Sequence, residues 1–510
     1  MLIELPPAKR HNGDTAVSES HVNYRLAKAL GVLAITASAV AAEYGAGINF
    51  VSVQSLSVYP AVHGLVPLAM FLTGIAMLPK AYLFAAFSKV MPRAGSKHVW
   101  IARSLGMPAG FLITFVYWVT GPASMGVLGY AFGTFLGQAL MPISHAAGAA
   151  LLTPVGHLIC GLAAIWVTFA VNAAGVKHYG TFVTILLFVI VITALTITVF
   201  GFATTPDKFV AAASAATRTT LAAPATPPAD SLFDFLSVCA LFVFAYAGLG
   251  AGPALGGETA DAERKVPRGI YYGWIVALVL FSLVAAALFH AAPWWAVAGL
   301  IKAGKTSYAT APGLIGLVAP QWLTVVLNLA VALIVGKTLA PALMVASRFC
   351  FAQAQDRLLP PIFAEVSRRK VPLPALLLCA ILGTLFLLQS VYFGWAMGVA
   401  VRSLAVLMMW IALAAGALNL RWHKPARDTV WAQAILRQKL LVPASIISFV
   451  LAVPLFLSLA VVPKAPLVLQ PLFQGAVALG IGIVILVVAD TRAKRRGESF
   501  AMIAARIPIE

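Results

Sequence analysis

Apolar residues along this chain form long unbroken runs, not the alternation of a half-buried strand or the single stripe of an amphipathic helix. Runs of spanning length occupy 28–56, 64–88, 107–138, 151–172, 180–202, 232–257, 270–292, 321–350, 373–390, 394–418, 441–461 and 467–489. About 20 helical residues cross a bilayer's hydrocarbon layer. Each run therefore predicts a membrane-spanning helix, twelve in all, and the fold class is an all-α polytopic membrane protein with the lipid bilayer as its solvent. The polar intervals divide the chain into an N-terminal tail (1–27), a first group of helices (28–202), an outer loop (203–231), a second group (232–418), an inner loop (419–440), a final pair (441–489) and a C-terminal tail (490–510).

Composition agrees: 61% of the 510 residues are hydrophobic and 10% charged, against about 45–50% and about 25% in soluble domains. A soluble protein is excluded. The formal charge of +19 would suggest nucleic acid in a soluble protein, but here the charges lie between apolar runs and form no patch. Alternate loops place 27 of the 35 basic residues on one side, with Lys208, Arg218, Lys302, Lys305 and Lys464 on the other. The positive-inside rule makes the rich side, and both termini, cytoplasmic, in a plasma or inner membrane. Lys80, Lys337 and Arg402 remain, each within an apolar run. The four cysteines show no ligand spacing, so neither a disulfide, a metal nor another cofactor is expected.

Two loops stand out. The Ala-, Thr- and Pro-rich stretch 203–231 predicts a flexible linker between two halves. Residues 419–440 mix Trp422, Trp431, Ile435 and Leu436 with Arg and Lys, the pattern of a helix on the inner membrane surface or of a solvated loop. Two of the long runs also carry breakers. Gly45-Ala46-Gly47 interrupts the first span, and Gly248-Leu249-Gly250-Ala251-Gly252-Pro253 with Gly256-Gly257 interrupts the sixth. Backbone freed at membrane depth must meet protein, water or ligand, and paired interruptions opening two halves point to a transporter site. The N–H groups of a resumed half-helix suit a carboxylate, and the carbonyls ending the preceding half suit an ammonium. An α-amino acid carries both. The alternative is that these glycines only allow close helix packing.

The chain resembles the amino acid-polyamine-organocation superfamily of permeases at five ordered places. These are Gly45-Ala46-Gly47-Ile48; Met91-Pro92-Arg93-Ala94-Gly95-Ser96 with Trp100, Arg103, Gly106, Gly110 and Phe111; Asn172-Ala173-Ala174-Gly175-Val176-Lys177; Phe244-Ala245-Tyr246-Ala247-Gly248 with Glu258-Thr259 and Pro267-Arg268-Gly269-Ile270; and Ser347-Arg348 with Ala352, Asp356, Leu358, Leu359 and Pro360. The resemblance implies a LeuT-like fold: a five-plus-five inverted repeat over 28–202 and 232–418, then two C-terminal helices. It implies a substrate held at the two interruptions by Tyr44, Gly45, Ala46, Gly47, Phe244, Ala245, Tyr246, Gly248 and Leu249. Backbone N–H groups of Gly45, Ala46 and Gly47 would receive the carboxylate, and carbonyls of Phe244, Ala245 and Tyr246 the amine, with Phe244 a candidate aromatic gate. The family usually has an apolar residue where this chain has Glu43, and an acidic one where it has Gly250.

Three charges carry the candidate chemistry. Glu43 is the only carboxylate between Glu19 and Asp207; an ionisable group near the bilayer centre costs at least about 2.5 kcal/mol, so it marks function or a buried partner. It is expected to contact the substrate amine or carry a coupling proton, unless it pairs with a nearby lysine. Sodium-coupled members of the implied fold use a hydroxyl residue near Lys337 to hold sodium against the first span; others place a lysine on the fifth, which here has none. Lys337 is therefore expected to replace sodium and tether the first span until it loses its proton, or else to extend to the cytoplasmic surface. Arg402 is expected to act as an outer gate or counter-ion to Glu43, and Lys80 to snorkel. Inner-loop ion pairs are expected among Glu258, Asp261, Glu263, Arg264, Arg268, Arg348 and Asp356. The function expected is sodium-independent amino acid transport by alternating access, proton-coupled or exchanging, with small-molecule substrate and proton as partners. Amine or polyamine transport and nutrient sensing are the alternatives, no catalytic constellation or nucleotide loop is present, and the sequence leaves the oligomeric state open.

Overall fold

The computed structural model describes residues 30–93, 95–226, 229–422, 429–463 and 465–505. The tail expected at 1–27, together with Ala94, Lys424, Arg427, Lys464 and Arg506, lies outside the described residues, as does the Glu258 side chain. Among the described residues, eleven helices are long and apolar enough to cross a membrane. The first predicted span is not one of them. It divides into Val32–Glu43, a wide π turn at Gly47–Val51, and Ser52–Val58, so no single piece has spanning length.

Burial sorts the helices into an inner and an outer set. Gln321–Gln355 and Trp395–Trp422 are mostly buried, as is the span Met107–Leu140, whereas Pro471–Arg495 is mostly exposed. That outer helix shows Val477, Ile481, Val484 and Val488 to the surroundings, and the helix Val176–Ala203 shows Phe188, Ile192 and Val199. Apolar residues repeated along one exposed face fit hydrocarbon, not water. Small residues bring the inner helices together. A Cβ at Gly126 would lie 2.2 Å from the Phe386 carbonyl oxygen, and one at Gly110 2.3 Å from the Ala102 Cα. Lipid offers no hydrophobic drive between helices, so such close approach supplies the packing energy instead.

Several elements differ from the hydropathy reading. The stretch expected to be a flexible linker contains the helix Pro206–Thr217, which buries Phe209, Ala213 and Thr217. Alanine runs suit linkers and helices alike; Pro206 and Asp207 in the first turn favour the helix here. Helix Ala262–Ala291 begins eight residues before the expected 270, carrying Arg264, Lys265 and Arg268 in its first turns. The third span breaks between Val119 and Ala123, at Gly121-Pro122. Within 419–440 a short helix, Val430–Leu436, is capped by Thr429 and buries Ala432 and Ile435.

The expected inner-loop ion pairs also reorganise. Asp356 pairs with two residues of the short helix Lys97–Ser104: Arg103 donates to both its oxygens at 2.7 and 3.0 Å, and His98 Nε2 lies 2.9 Å from Oδ2. Beside them, Trp118 Nε1 donates to Gln353 Oε1 at 2.7 Å. Asp261 instead makes an exposed pair with Lys265 at 3.2 Å. Burial alone would push the Asp356 carboxyl up, but bonds from Arg103 and His98 hold it down at about 2. Asp356→Asn removes the carboxylate that buried Arg103 and His98 share and should destabilise the purified protein by about 3–5 kcal/mol in thermal unfolding. Because the folded-state value is depressed, this contribution is present above the ordinary aspartate value and lost as pH falls from about 4 toward 2.

Candidate functional site

The site begins where the first span stops being an α-helix. Val32–Glu43 ends as Tyr44 turns to an extended conformation, and no side chain caps the following turn Gly47–Val51. Asn49 Nδ2 donates to the freed Gly45 carbonyl at 3.0 Å. The second interruption starts earlier than its glycines suggest: Leu232–Phe242 ends at Val243, and the chain tightens into a 3₁₀ turn at Ala245–Gly250 before Ala251–Ala254. The Phe244 carbonyl accepts from the Ala247 N–H at 3.2 Å.

The two interrupted segments lie backbone against backbone. A Cβ on Gly248 would sit 2.4 Å from the Ala42 carbonyl carbon and 2.6 Å from the Glu43 nitrogen; one on Gly47 would sit 2.7 Å from the Ala245 Cα. The close-packing role of these glycines and their place at interruptions therefore coexist. The Gln321–Gln355 helix brackets the first interruption from a third side. Lys337 Nζ donates to the Ala41 carbonyl at 2.7 Å, and Thr338 Oγ1 would be 2.8 Å from a Cβ on Gly45.

Between these segments is a narrow cavity of about 50 Å³. Of the residues singled out from sequence, Glu43, Gly45, Ala46, Gly47, Phe244, Gly248 and Arg402 line it. Tyr44, Ala245, Tyr246, Leu249 and Lys337 do not. The Tyr44 ring packs on Phe281 with centroids 5.6 Å apart, and Tyr246 turns away to donate to the Met70 carbonyl at 3.3 Å. Glu43 is buried, and among the described residues neither carboxylate oxygen has a hydrogen-bond partner; the Leu249 N–H faces it without reaching bonding geometry.

The cations depart furthest from expectation. Lys337 is buried behind the cavity and does not extend to the surface. Lys80 does not snorkel: it is buried, its Nζ 3.7 Å from the Met77 sulfur, because other helices cover this end of its span. Arg402 makes no ion pair with Glu43 among the described residues. Tyr117 occupies it instead, accepting from the guanidinium at its carbonyl (3.1 Å) and hydroxyl (2.9 Å) with its ring 4.2 Å away. Lys97, which the loop pattern assigns to the inner surface, is fully buried and donates to the Tyr117 hydroxyl (3.2 Å) and the Gly250 carbonyl (3.3 Å). The apolar run Val99-Trp100-Ile101-Ala102 directly after it was the one local sign of its burial.

The family model for amino acid permeases matches residues 41–496, covering both interruptions and the Lys337 helix. The chain belongs to that family. It is 23% identical over 412 residues to the vacuolar cationic amino acid transporter 4 of Arabidopsis thaliana, covering 79% of this chain and 64% of that protein, so it spans under two thirds of this relative's length. It is also 24% identical to the branched-chain amino acid permease BcaP of Lactococcus lactis subsp. cremoris (57% of this chain, 61% of the relative) and 24% identical to the serine/threonine exchanger SteT of Bacillus subtilis (52% and 55%).

In this permease, Gly248 and Gly250 differ in what an added methyl would meet. Gly248→Ala collides with backbone that cannot move, and should cost about 1–3 kcal/mol of stability or prevent folding. Gly250→Ala would meet the end of the Lys97 side chain, Nζ at 2.2 Å and Cε at 2.9 Å, with the Tyr117 hydroxyl at 3.5 Å, and no backbone. It should fold, with the Lys97 to Gly250 bond lost. Comparing folded yield and melting temperature of the two variants checks this; equal loss in both would refute the crossing as the constraint.

Proposed function

We propose that this permease is a secondary transporter of amino acids working by alternating access. Two interrupted helices converge on one cavity, which Gly45, Ala46 and Gly47, at the start of the uncapped turn, line; this convergence carries the reading. In the proposed bound state the substrate carboxylate lies on the backbone of Gly45, Ala46 and Gly47, where the helix dipole favours an anion. The ammonium faces Glu43, whose oxygens lack partners. Phe244, at the cavity wall, covers the substrate.

The names of the relatives support amino acids as the substrate class. The proposed topology is twelve spans with both termini cytoplasmic, arranged as a LeuT-like five-plus-five repeat followed by two helices, the interrupted first span being the twelfth. Lys337 supplies the coupling. Its ammonium sits on the Ala41 carbonyl in the last turn of Val32–Glu43, where a cation is stabilised by the helix end, so no sodium is required there. Losing the proton weakens the tether and releases that half-helix.

The test is uptake into proteoliposomes, in sodium-free buffer, over a panel of amino acids with and without a proton gradient. Wild-type protein should show saturable uptake that depends on pH. Lys337→Met should reduce uptake at least tenfold and abolish the pH dependence, with a melting temperature reported alongside. Wild-type uptake and pH dependence in the variant would refute Lys337 as the coupling group.

A further inference from the structure

Beside the proposed substrate ammonium site, the cavity has a second charged wall, and it is positive. Arg402 lines the cavity, and Lys97 lies behind it on the shared Tyr117 hydroxyl. Lys80 joins them across the Phe84 ring, the two ammonium groups 5.7 and 5.3 Å from its centroid. Arg402, the most exposed of the three, is 8% exposed. Among the described residues no carboxylate comes within ion-pair distance of any of them. Among the described residues Glu43 is the one carboxylate on the cavity wall, and of the three cations its charge acts on Lys80.

Buried cations without counter-charge are unfavourable and are normally paired. The guanidinium has five N–H donors, and its bonds to Tyr117 use two. Two glycines let main chain approach these groups closely. A Cβ at Gly121 would be 3.1 Å from the Trp118 carbonyl oxygen and 3.5 Å from Arg402 Nη1, and one at Gly250 would be 2.2 Å from Lys97 Nζ. Gly121, Gly250 and Arg402 all line the cavity, so the guanidinium borders it next to main chain.

We propose that Arg402, braced by Tyr117 and Lys97, receives a second carboxylate, so that the substrates of this permease are dicarboxylic amino acids. The inference rests on the amino acid reading above and adds the side-chain charge. Three substrate charges then meet three complementary walls: the ammonium at Glu43, the α-carboxylate at the Gly45–Gly47 turn, and the side-chain carboxylate at Arg402. A neutral side chain leaves the guanidinium uncompensated, and a cationic one is repelled by it.

The experiment uses full-length protein in proteoliposomes and compares binding and uptake of L-aspartate and L-glutamate with L-asparagine, L-glutamine, L-leucine and L-lysine. Wild-type protein should prefer the acids at least tenfold over their amides. Arg402→Gln should remove that preference, while Arg402→Lys, which keeps the charge, should retain part of it. Wild-type selectivity decides the matter even if a variant fails to fold. Amides taken up as well as the acids would overturn the inference and leave amino acid transport standing. Neutral amino acid uptake that requires chloride would also overturn it, assigning the positive wall to an inorganic anion. No binding of any of the six would overturn the transport reading and this inference together.

Discussion

The site depends on two interrupted helices lying backbone against backbone. Gly248 faces Ala42 and Glu43 with no room for a methyl, and Gly47 faces Ala245 in the same way. This contact fixes where the cavity is, because both walls are main chain. It also creates a hydrogen-bonding demand, since backbone freed from a helix inside a membrane must be satisfied by protein or a ligand. The structure answers locally and from other elements. Asn49, in the turn itself, donates to the Gly45 carbonyl from its backbone N–H and its side chain, while Lys337 takes the Ala41 carbonyl and Lys97 the Gly250 carbonyl from other helices. Each interruption is thus capped by a lysine from a different helix, which ties the Gln321–Gln355 helix to the first interruption and the Lys97–Ser104 helix to the second.

The same caps explain the unusual charge distribution. An ammonium on a freed carbonyl at a helix C-terminal end is favourable without a carboxylate partner. Two of the buried lysines therefore have a structural reason to sit without a carboxylate partner. Arg402 differs: it is held by a single residue, Tyr117, and it lines the cavity instead of sitting behind it. Distance from the cavity separates the cations that complete the backbone from the one available to a ligand.

Sequence read the large features well because each has a one-dimensional signature. Spans are long apolar runs, interruptions are Gly and Pro clusters, and Lys337 is a lone cation in an apolar stretch. The failures share a cause as well. Lys97 follows a Gly-Ser turn and looks like other loop cations apart from the apolar run at Val99–Ala102; the packing of Phe84, Tyr117 and Phe349 around it establishes its burial. Sequence pairs Arg402 with Glu43 because it looks for opposite charge, whereas its partner Tyr117 lies on a span 285 residues away. Tyr246 stood inside a matched motif, yet its side chain points out of the cavity; a motif fixes the backbone path and leaves side-chain direction to the local helical turn. The alanine-rich 206–217 segment was ambiguous by composition, and its docking through Phe209 decided it.

The lysine caps constrain how the cavity can open. Moving Val32–Glu43 away from the Gln321–Gln355 helix must break the Lys337 bond to Ala41. If Lys337 stays protonated, the motion strands a buried ammonium and a buried carbonyl together, a state with no compensating partner. A neutral amine strands only ordinary polar groups, which cost far less to leave unpaired or to hydrate. The proton on Lys337 therefore biases the position of this half-helix, in the sense that a ligand biases an equilibrium by its differential interaction with two states. Lys97 imposes a second condition, because its bond to Gly250 must survive or be replaced when the other interrupted helix moves. In the proposed bound state the substrate ammonium faces Glu43, so a carboxylate on the wall opposite Arg402 is consistent with the design and not an exception to it.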